Sequence, residues 1–363
     1  MKKLIINIGQ DAVVGATYEQ SGKNQTISRA FEFSCLNCYN NHGMLDFVKI
    51  VAGIKKSMPK EMRSLDVDLI LPTFVTDVQY IDAIGSSEQA EEKPAHNMTV
   101  KTVYIGENHT KKINEKITYN NKVLKGIIDL FYKENINVVR AVSNVSCYHN
   151  FMAVFNNDDI FSGNETKTHI CMVWGVSKIY YIIMVGNLPI EVRVSDVKLT
   201  DLYRDIASMG GDLPLYQILN VIDNFTLSTD PSVGILLEHT TNQFFDGERT
   251  ITLPDSVIGI IKSRFFTFIT DLMREVRTIY DYAGHRYSIG NVWVCTNSKL
   301  LDECICKTLS DTFPIEYCPS SGLVEVYGNK FNIRSISEFA DRYNPIIGLV
   351  IDGIKKGGDF YDS

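Results

Sequence analysis

No apolar run in this 363-residue chain approaches the roughly 20 residues that a membrane-spanning helix needs, so no direct membrane span is expected. Clustered positive charge is missing as well. Lys and Arg number 36 against 43 Asp and Glu, and the formal net charge is −7. The neighbours Lys111/Lys112 and Lys355/Lys356 read as solvated ends. A nucleic-acid binder would show a basic surface, so that class is set aside. The seven histidines are isolated, with no His-x-x-x-His pair to build a catalytic zinc site. No Gly-x-x-x-x-Gly-Lys phosphate loop, Gly-x-Gly-x-x-Gly fingerprint or Gly-x-Ser-x-Gly elbow occurs. The opening apolar stretch is short, is interrupted by Asn7 and lacks a small-residue cleavage site, which is no signal peptide. A cytoplasmic protein is expected. Cysteine usage agrees with that compartment. Cys147, Cys171, Cys295, Cys304 and Cys306 lie in apolar or helical surroundings and read as small buried hydrophobes. Cys35-x-x-Cys38 has metal-like spacing, but no second cysteine pair lies near and His42 alone cannot complete a tetrahedral site.

What is present is ample apolar material, 45% of the residues, and a length suited to two domains or one bilobed one. Residues 168–186 (THICMVWGVSKIYYIIMVG) organise the pattern. Runs 170–174 and 179–185 are rich in Ile, Val, Tyr and Met, too short for independent helices, and flank a turn holding Gly175 and Ser177. They predict a β-hairpin. The same design opens the chain, where residues 3–8 run into Gly9, then Gln10 and Asp11, then residues 12–18. A strand–Gly–turn–strand unit that recurs predicts two related halves.

Between these hairpins, strands are expected at 26–34, 66–71, 75–81, 100–105, 113–119 and 136–142, and helices at 44–56, 121–135 and 147–155. Residues 85–99 are polar and read as an excursion. The second half continues with strands at 188–194, 234–237, 291–295 and 314–318. Helices are expected at 200–209, 213–225, 255–283 and 299–312, the third carrying the longest apolar stripe. Residues 344–351 read as a short buried helix or strand. Strands alternating with helices, twice over, give an α/β architecture.

Two duplicated α/β halves, each opening on a Gly-turn hairpin, is the layout of the actin-like ATPase superfamily. The order of segments resembles the PilM family of type IV pilus assembly proteins, which is related to FtsA. KLIINIG at 3–9 sits where that family has its opening strand and Asp-Ile-Gly turn, and LDVDLILP at 65–72 matches a strand ending in Pro. Residues 136–155 resemble the strand and helix that close the first half, and 170–175 falls at the second Asp-Ile-Gly. ITDLMREVRTIYDY at 269–282 followed by IGNVWVC at 289–295 is similar to the Glu/Arg-rich helix leading into the adenosine-site strand. The resemblance implies a fold of two actin-like (ribonuclease H-like) halves, 1–160 and 161–363. A small subdomain would be inserted in the first half at about 75–119.

Departures from the family pattern bear on chemistry. Nucleotide hydrolysis on this fold needs carboxylates for Mg²⁺ and turns whose N–H groups face the phosphates. Here the metal-directing Asp position holds Asn7, and the Ser/Thr run that follows Gly9 is Gln10, Asp11 and Ala12. In the second turn only Gly175, with Ser177 after it, remains, because Val173 stands at the Asp position and Trp174 at the Ile position. The glycine pair of the adenosine loop is replaced by Thr296, Asn297 and Ser298. These positions are candidates for a degenerate nucleotide site, with ATP and Mg²⁺ as the possible cofactors, no catalytic residue and no resident metal. The resemblance implies a cytoplasmic scaffold of a type IV pilus or type II secretion-like machine. It would sit at the inner membrane by binding the cytoplasmic tail of a PilN-like membrane partner, with self-association open. The alternative is an ATP-binding filament former or ATPase of the FtsA type; a sugar or acyl-phosphate kinase lacks its acid at the second turn.

Overall fold

The computed structural model describes residues 2–9, 12–21, 24–40, 44–82, 97–107, 112–155, 168–173, 178–210, 218, 221–222, 226–227, 237–238, 243–246, 249–285, 289–295, 332–334 and 340–355. The first part of the chain runs β1 (Lys2–Ile8), β2 (Ala12–Ser21), β3 (Asn24–Ser34), α1 (Phe47–Ser57), β4 (Val67–Leu71), β5 (Thr76–Asp82), β6 (Met98–Glu107), β7 (Lys112–Asn120), α2 (Asn121–Lys133), β8 (Val138–Ser143) and α3 (Asn144–Phe155). It continues with β9 (Thr168–Val173), β10 (Tyr180–Val185), β11 (Leu188–Val194), α4 (Leu199–Gly210), the short β12 (Thr226–Leu227) and β13 (Leu237–Glu238), and the hairpin β14 (Gln243–Asp246) and β15 (Arg249–Thr252). Last come α5 (Asp255–Gly284), β16 (Ile289–Cys295), β17 (Asn332–Arg334) and α6 (Asn344–Lys355).

Two sheets repeat one topology. The larger has the order β17-β3-β2-β1-β4-β8 and the smaller β11-β10-β9-β16. In each, an antiparallel three-strand meander is followed by a parallel neighbour: β4 beside β1 in the first and β16 beside β9 in the second. The recurrence read from the two hairpins is therefore a recurrence of sheet order. β17 was not anticipated. It is short, and it returns to the first sheet to pair in parallel with β3.

Both faces of the larger sheet are covered. β1 is buried along its length beyond Lys2, so its alternating side chains meet core on either side. Ile8, Val13 and Phe33 share a face by register, and Gly53 of α1 packs on the Phe33 ring. The opposite face carries Lys3, Ile5 and Asn7 and lies under the segment leading into α6. α3 and α6 cross closely: a Cβ added at Gly348 would lie 1.9 Å from the Cys147 carbonyl oxygen. The apolar stripe expected on the long helix is realised in α5, with Ile261, Phe265, Phe268, Leu272, Val276 and Ile279 buried. Its first turn is rotated by one residue, so that Ile258 is buried and Val257 and Ile260 are only half-buried.

A third sheet, β5-β7-β6, is separate from the other two. Its inward face follows a period of two, with Ile113, Glu115, Ile117 and Tyr119 of β7 buried in alternation. It and its lead-in touch strands of both larger sheets. On one side the Thr76 and Ser143 hydroxyls are 2.9 Å apart, and on the other the Tyr180 hydroxyl donates to the carbonyls of Thr73 and Thr76, each at 3.1 Å. Lys178 also pairs with Asp77 at 3.8 Å. Among the described residues no helix is long and apolar enough to cross a membrane.

Candidate functional site

Of the residues proposed from sequence for a nucleotide site, Asn7 and Gly9 are described; Gln10, Asp11, Gly175, Ser177, Thr296 and Asn297 lie outside the described residues. Asn7 is 2% exposed at the end of β1, beside Val14 of β2 and Ile70 of β4. Its side-chain amide donates to the carbonyl of Arg342 at 3.1 Å, tying the first strand to the lead-in of the last helix. The Asn7 Oδ1 has no hydrogen-bond partner among the described residues. A neutral side chain whose N–H₂ faces a carbonyl is a poor fit for directing a hydrated Mg²⁺, which takes hard, charged oxygen ligands. Gly9 uses its N–H within the turn, donating to the Ala12 carbonyl at 3.0 Å, and its own carbonyl lies 3.7 Å from the Cys35 Sγ. That N–H closes a hairpin.

Cys35 and Cys38 are buried thiols not joined in a disulfide, and burial pushes the Cys38 thiol up. No group of three or more metal-binding side chains exists among the described residues. The Glu/Arg-rich helix is α5, and Glu275 on it is fully engaged. Its Oε2 accepts from the Tyr181 hydroxyl at 3.1 Å and from the Ser195 hydroxyl, and its Oε1 accepts from the Asp196 N–H at 2.9 Å. Burial pushes the Tyr181 hydroxyl well above its ordinary range, with the Glu275 carboxylate adding to it. So Glu275 anchors the end of β11 to α5.

A second site was not seen in the sequence. A cavity of about 370 Å³ lies between the three-stranded sheet, α2, β8 and α3. One wall is the inward face of β6, through Thr99, Lys101, Val103 and Ile105; the floor includes Glu115, Ser146 and His149. Arg140, Ala141, Val142 and Ser143, four successive residues of β8, all line it. Successive side chains of a strand point to opposite faces, so a cavity touching all four runs along the edge of the strand. Among the described strands β8 is the last of its sheet and pairs only with β4. The cavity therefore borders a row of backbone groups that no described strand pairs with.

The electrostatics at this floor are uncommon for a buried place. Glu115 is 5% and His149 3% exposed. The His149 Nδ1 lies 3.3 Å from the Glu115 Oε1 and 2.9 Å from the Tyr80 hydroxyl. Burial, then Glu115 and Cys171, push the Tyr80 hydroxyl well above its ordinary range, so it keeps its proton. Behind the wall, Asp68 is 1% exposed and 3.6 Å from the Lys3 ammonium. Burial raises the Asp68 carboxyl against the pull of Lys3 and Arg140. One signal in the sequence could have marked this place. Glu115 occupies the apolar register of an alternating strand, between Ile113 and Ile117, where an acid has no packing role.

No protein-family model matches the sequence, and comparison with curated proteins finds no match. Among solved structures the chain is similar to the PilM-PilN type IV pilus biogenesis complex, at a TM-score of 0.63 and 13% identity, covering 97% of this chain and 98% of that one. A Bacteroides thetaiotaomicron protein with an actin-like ATPase fold matches at a TM-score of 0.48 and 7% identity, over 91% of this chain and 95% of that one. MreB 5 of Spiroplasma citri bound to AMPPNP matches at 0.44 and 12%, over 98% and 97%. Identities this low speak to fold alone. The chain has the two-lobed, actin-like α/β fold, with which the repeated sheet order agrees.

Proposed function

We propose that this chain is a divergent PilM-like scaffold that binds an extended segment of a membrane protein's cytoplasmic tail in the groove along β8. The observation that carries this reading is the cavity bordering the edge of β8 that no described strand pairs with, with the inward face of β6 as its opposite wall. An extended peptide completes such an edge with main-chain hydrogen bonds, and alternate side chains enter the cavity. The similar solved structure is itself a complex of PilM with PilN, which makes a PilN-like tail the partner of choice. The halves divide near residue 160, with the small subdomain at about 75–119 forming the groove wall. The protein then works in the cytoplasm at the inner membrane, held there through its partner in a pilus or secretion-like assembly.

The nucleotide site is proposed to be eroded. Asn7 is committed to Arg342 and the Gly9 N–H to its own hairpin, which supports a scaffold over a working ATPase.

Affinity purification from detergent-solubilised membranes tests the groove. Wild-type chain should retain a single-span membrane protein through its cytoplasmic tail. Val103→Arg, which fills the groove from the β6 wall, should lose it. Tyr104→Arg, on the outward side of the same strand where the ring is 54% exposed, should keep it. Equal capture by all three chains would sink the reading. Calorimetric titration with Mg-ATP tests the second claim: saturable binding at micromolar affinity, about −8 kcal/mol, would restore a nucleotide-dependent function.

A further inference from the structure

We propose that the floor of the β8 groove is a subsite for a cation, so that the bound segment carries a lysine or arginine whose head reaches Glu115 and Ser146. This rests on the groove reading above and adds the chemistry of its occupant. The Glu115 Oε1 and the Ser146 Oγ both have no hydrogen-bond partner among the described residues, and both residues line the cavity. Each is more than nine-tenths buried, at 5% and 8% exposure. A carboxylate out of water is retained only when something donates to it.

His149 does not meet that need. Its Nδ1 is 3.3 Å from the Glu115 Oε1, yet that nitrogen also faces the Tyr80 hydroxyl at 2.9 Å, and no hydrogen bond reaches Oε1. Two cations line the same cavity: Lys101, exposed on β6 at the rim, and Arg140 on β8, which acts on Asp68 and on Tyr119. Among the described residues neither donates a hydrogen bond to the Glu115 Oε1, so a carboxylate oxygen and an idle hydroxyl are left lining the cavity. The walls suit a long cationic side chain: Val103, Ile117 and Leu124 face the cavity and cover a methylene stem, while the head meets the two oxygens. A guanidinium or ammonium supplies donors for both oxygens at once.

The test uses the full chain and a phage-displayed library of random nine-residue peptides. Enriched peptides should share a Lys or Arg at one fixed position of an extended pattern, and selection on Glu115→Gln should lose that preference. A selected peptide in which norleucine replaces the cation should bind wild-type chain at least tenfold more weakly. On Glu115→Gln the same replacement should make little difference, which a merely structural role for Glu115 would not produce. Ser146→Ala, a milder change, should weaken the cationic peptide and spare the norleucine one, and it stands in if Glu115→Gln does not fold. Enrichment without a fixed cation, or equal binding by the norleucine peptide, would overturn the subsite and leave the groove reading intact. No enrichment, or enrichment indifferent to Val103→Arg, would overturn both.

Discussion

The side-chain amide of Asn7 is hydrogen-bonded at 3.1 Å to the carbonyl of Arg342, a residue 335 positions away. The first strand is thus joined to the lead-in of α6 at the position where the family resemblance leads one to expect a metal-directing carboxylate. Asn7→Asp replaces the donor with a buried anion facing a carbonyl. Loss of the bond and desolvation of the charge predict destabilisation of about 2–4 kcal/mol, visible as a lower unfolding midpoint in denaturant. The substitution should not create Mg-ATP binding. Full stability together with micromolar Mg-ATP affinity would show that Asn7 had been a weakened metal-site residue.

Gly348 faces the Cys147 carbonyl so closely that a methyl group there would overlap it at 1.9 Å, with backbone rather than a side-chain tip in the way. Gly348→Ala must push α6 off α3 and should cost about 1–3 kcal/mol despite the better helix propensity of alanine. Gly126 in α2 and Gly259 in α5 have nothing within 4 Å of an added Cβ. Alanine at either should stabilise by up to about 1 kcal/mol. Thermal unfolding of the three variants separates packing from propensity, and a stabilised Gly348→Ala would refute the close crossing.

Much of this fold could be read locally. The β9–β10 hairpin follows from two short continuous apolar runs and the buried stripe of α5 from a period of 3.6, signals that single segments carry in full. β17 and the β14–β15 hairpin escaped because strands of three or four residues hold too few positions for a period to register. α3 begins at Asn144, three residues earlier than its apolar pattern suggests, because polar Asn144 and Ser146 are buried at its start. The groove was the least legible element. Its wall, floor and edge come from β6, β7, β8 and α3, and Leu349 of α6 closes it from the far end of the sequence. Only Glu115, an acid in an apolar register, marked it from within one strand.

Glu275 holds together the end of β11, α5 and β10 through three donors, two of them hydroxyls and one a backbone N–H. Glu275→Ala leaves the Tyr181 hydroxyl and the Asp196 N–H without their acceptor and should destabilise by about 2–4 kcal/mol, with Glu275→Gln losing less. Hydrogen exchange should show the loss in the second sheet before the first. Uniform loss of protection would mean that the two halves unfold as one unit.

Alkaline stability should fail early and steeply, because several tyrosines are buried with their protons on. Burial, then Glu115 and Cys147, push the Tyr119 hydroxyl up from 10.0 to about 12, and burial raises Tyr80, Tyr180 and Tyr181 as well. A folded-state value above the unfolded one means that the native state binds more protons between the two. The contribution of Tyr119 is then complete below about pH 10 and is lost as pH climbs from there through about 12. Denaturant midpoints should therefore hold level up to pH 9 and fall from pH 10 upward. Tyr119→Phe should fall less steeply over that window. Because Tyr104 and Tyr132 are exposed, the readout is the part of the 295 nm phenolate absorbance that Tyr119→Phe removes, which should rise only as the chain unfolds. A rise of that part near pH 10 while the fold persists would show the Tyr119 hydroxyl to be in contact with water, and the inward face of the three-stranded sheet to be open.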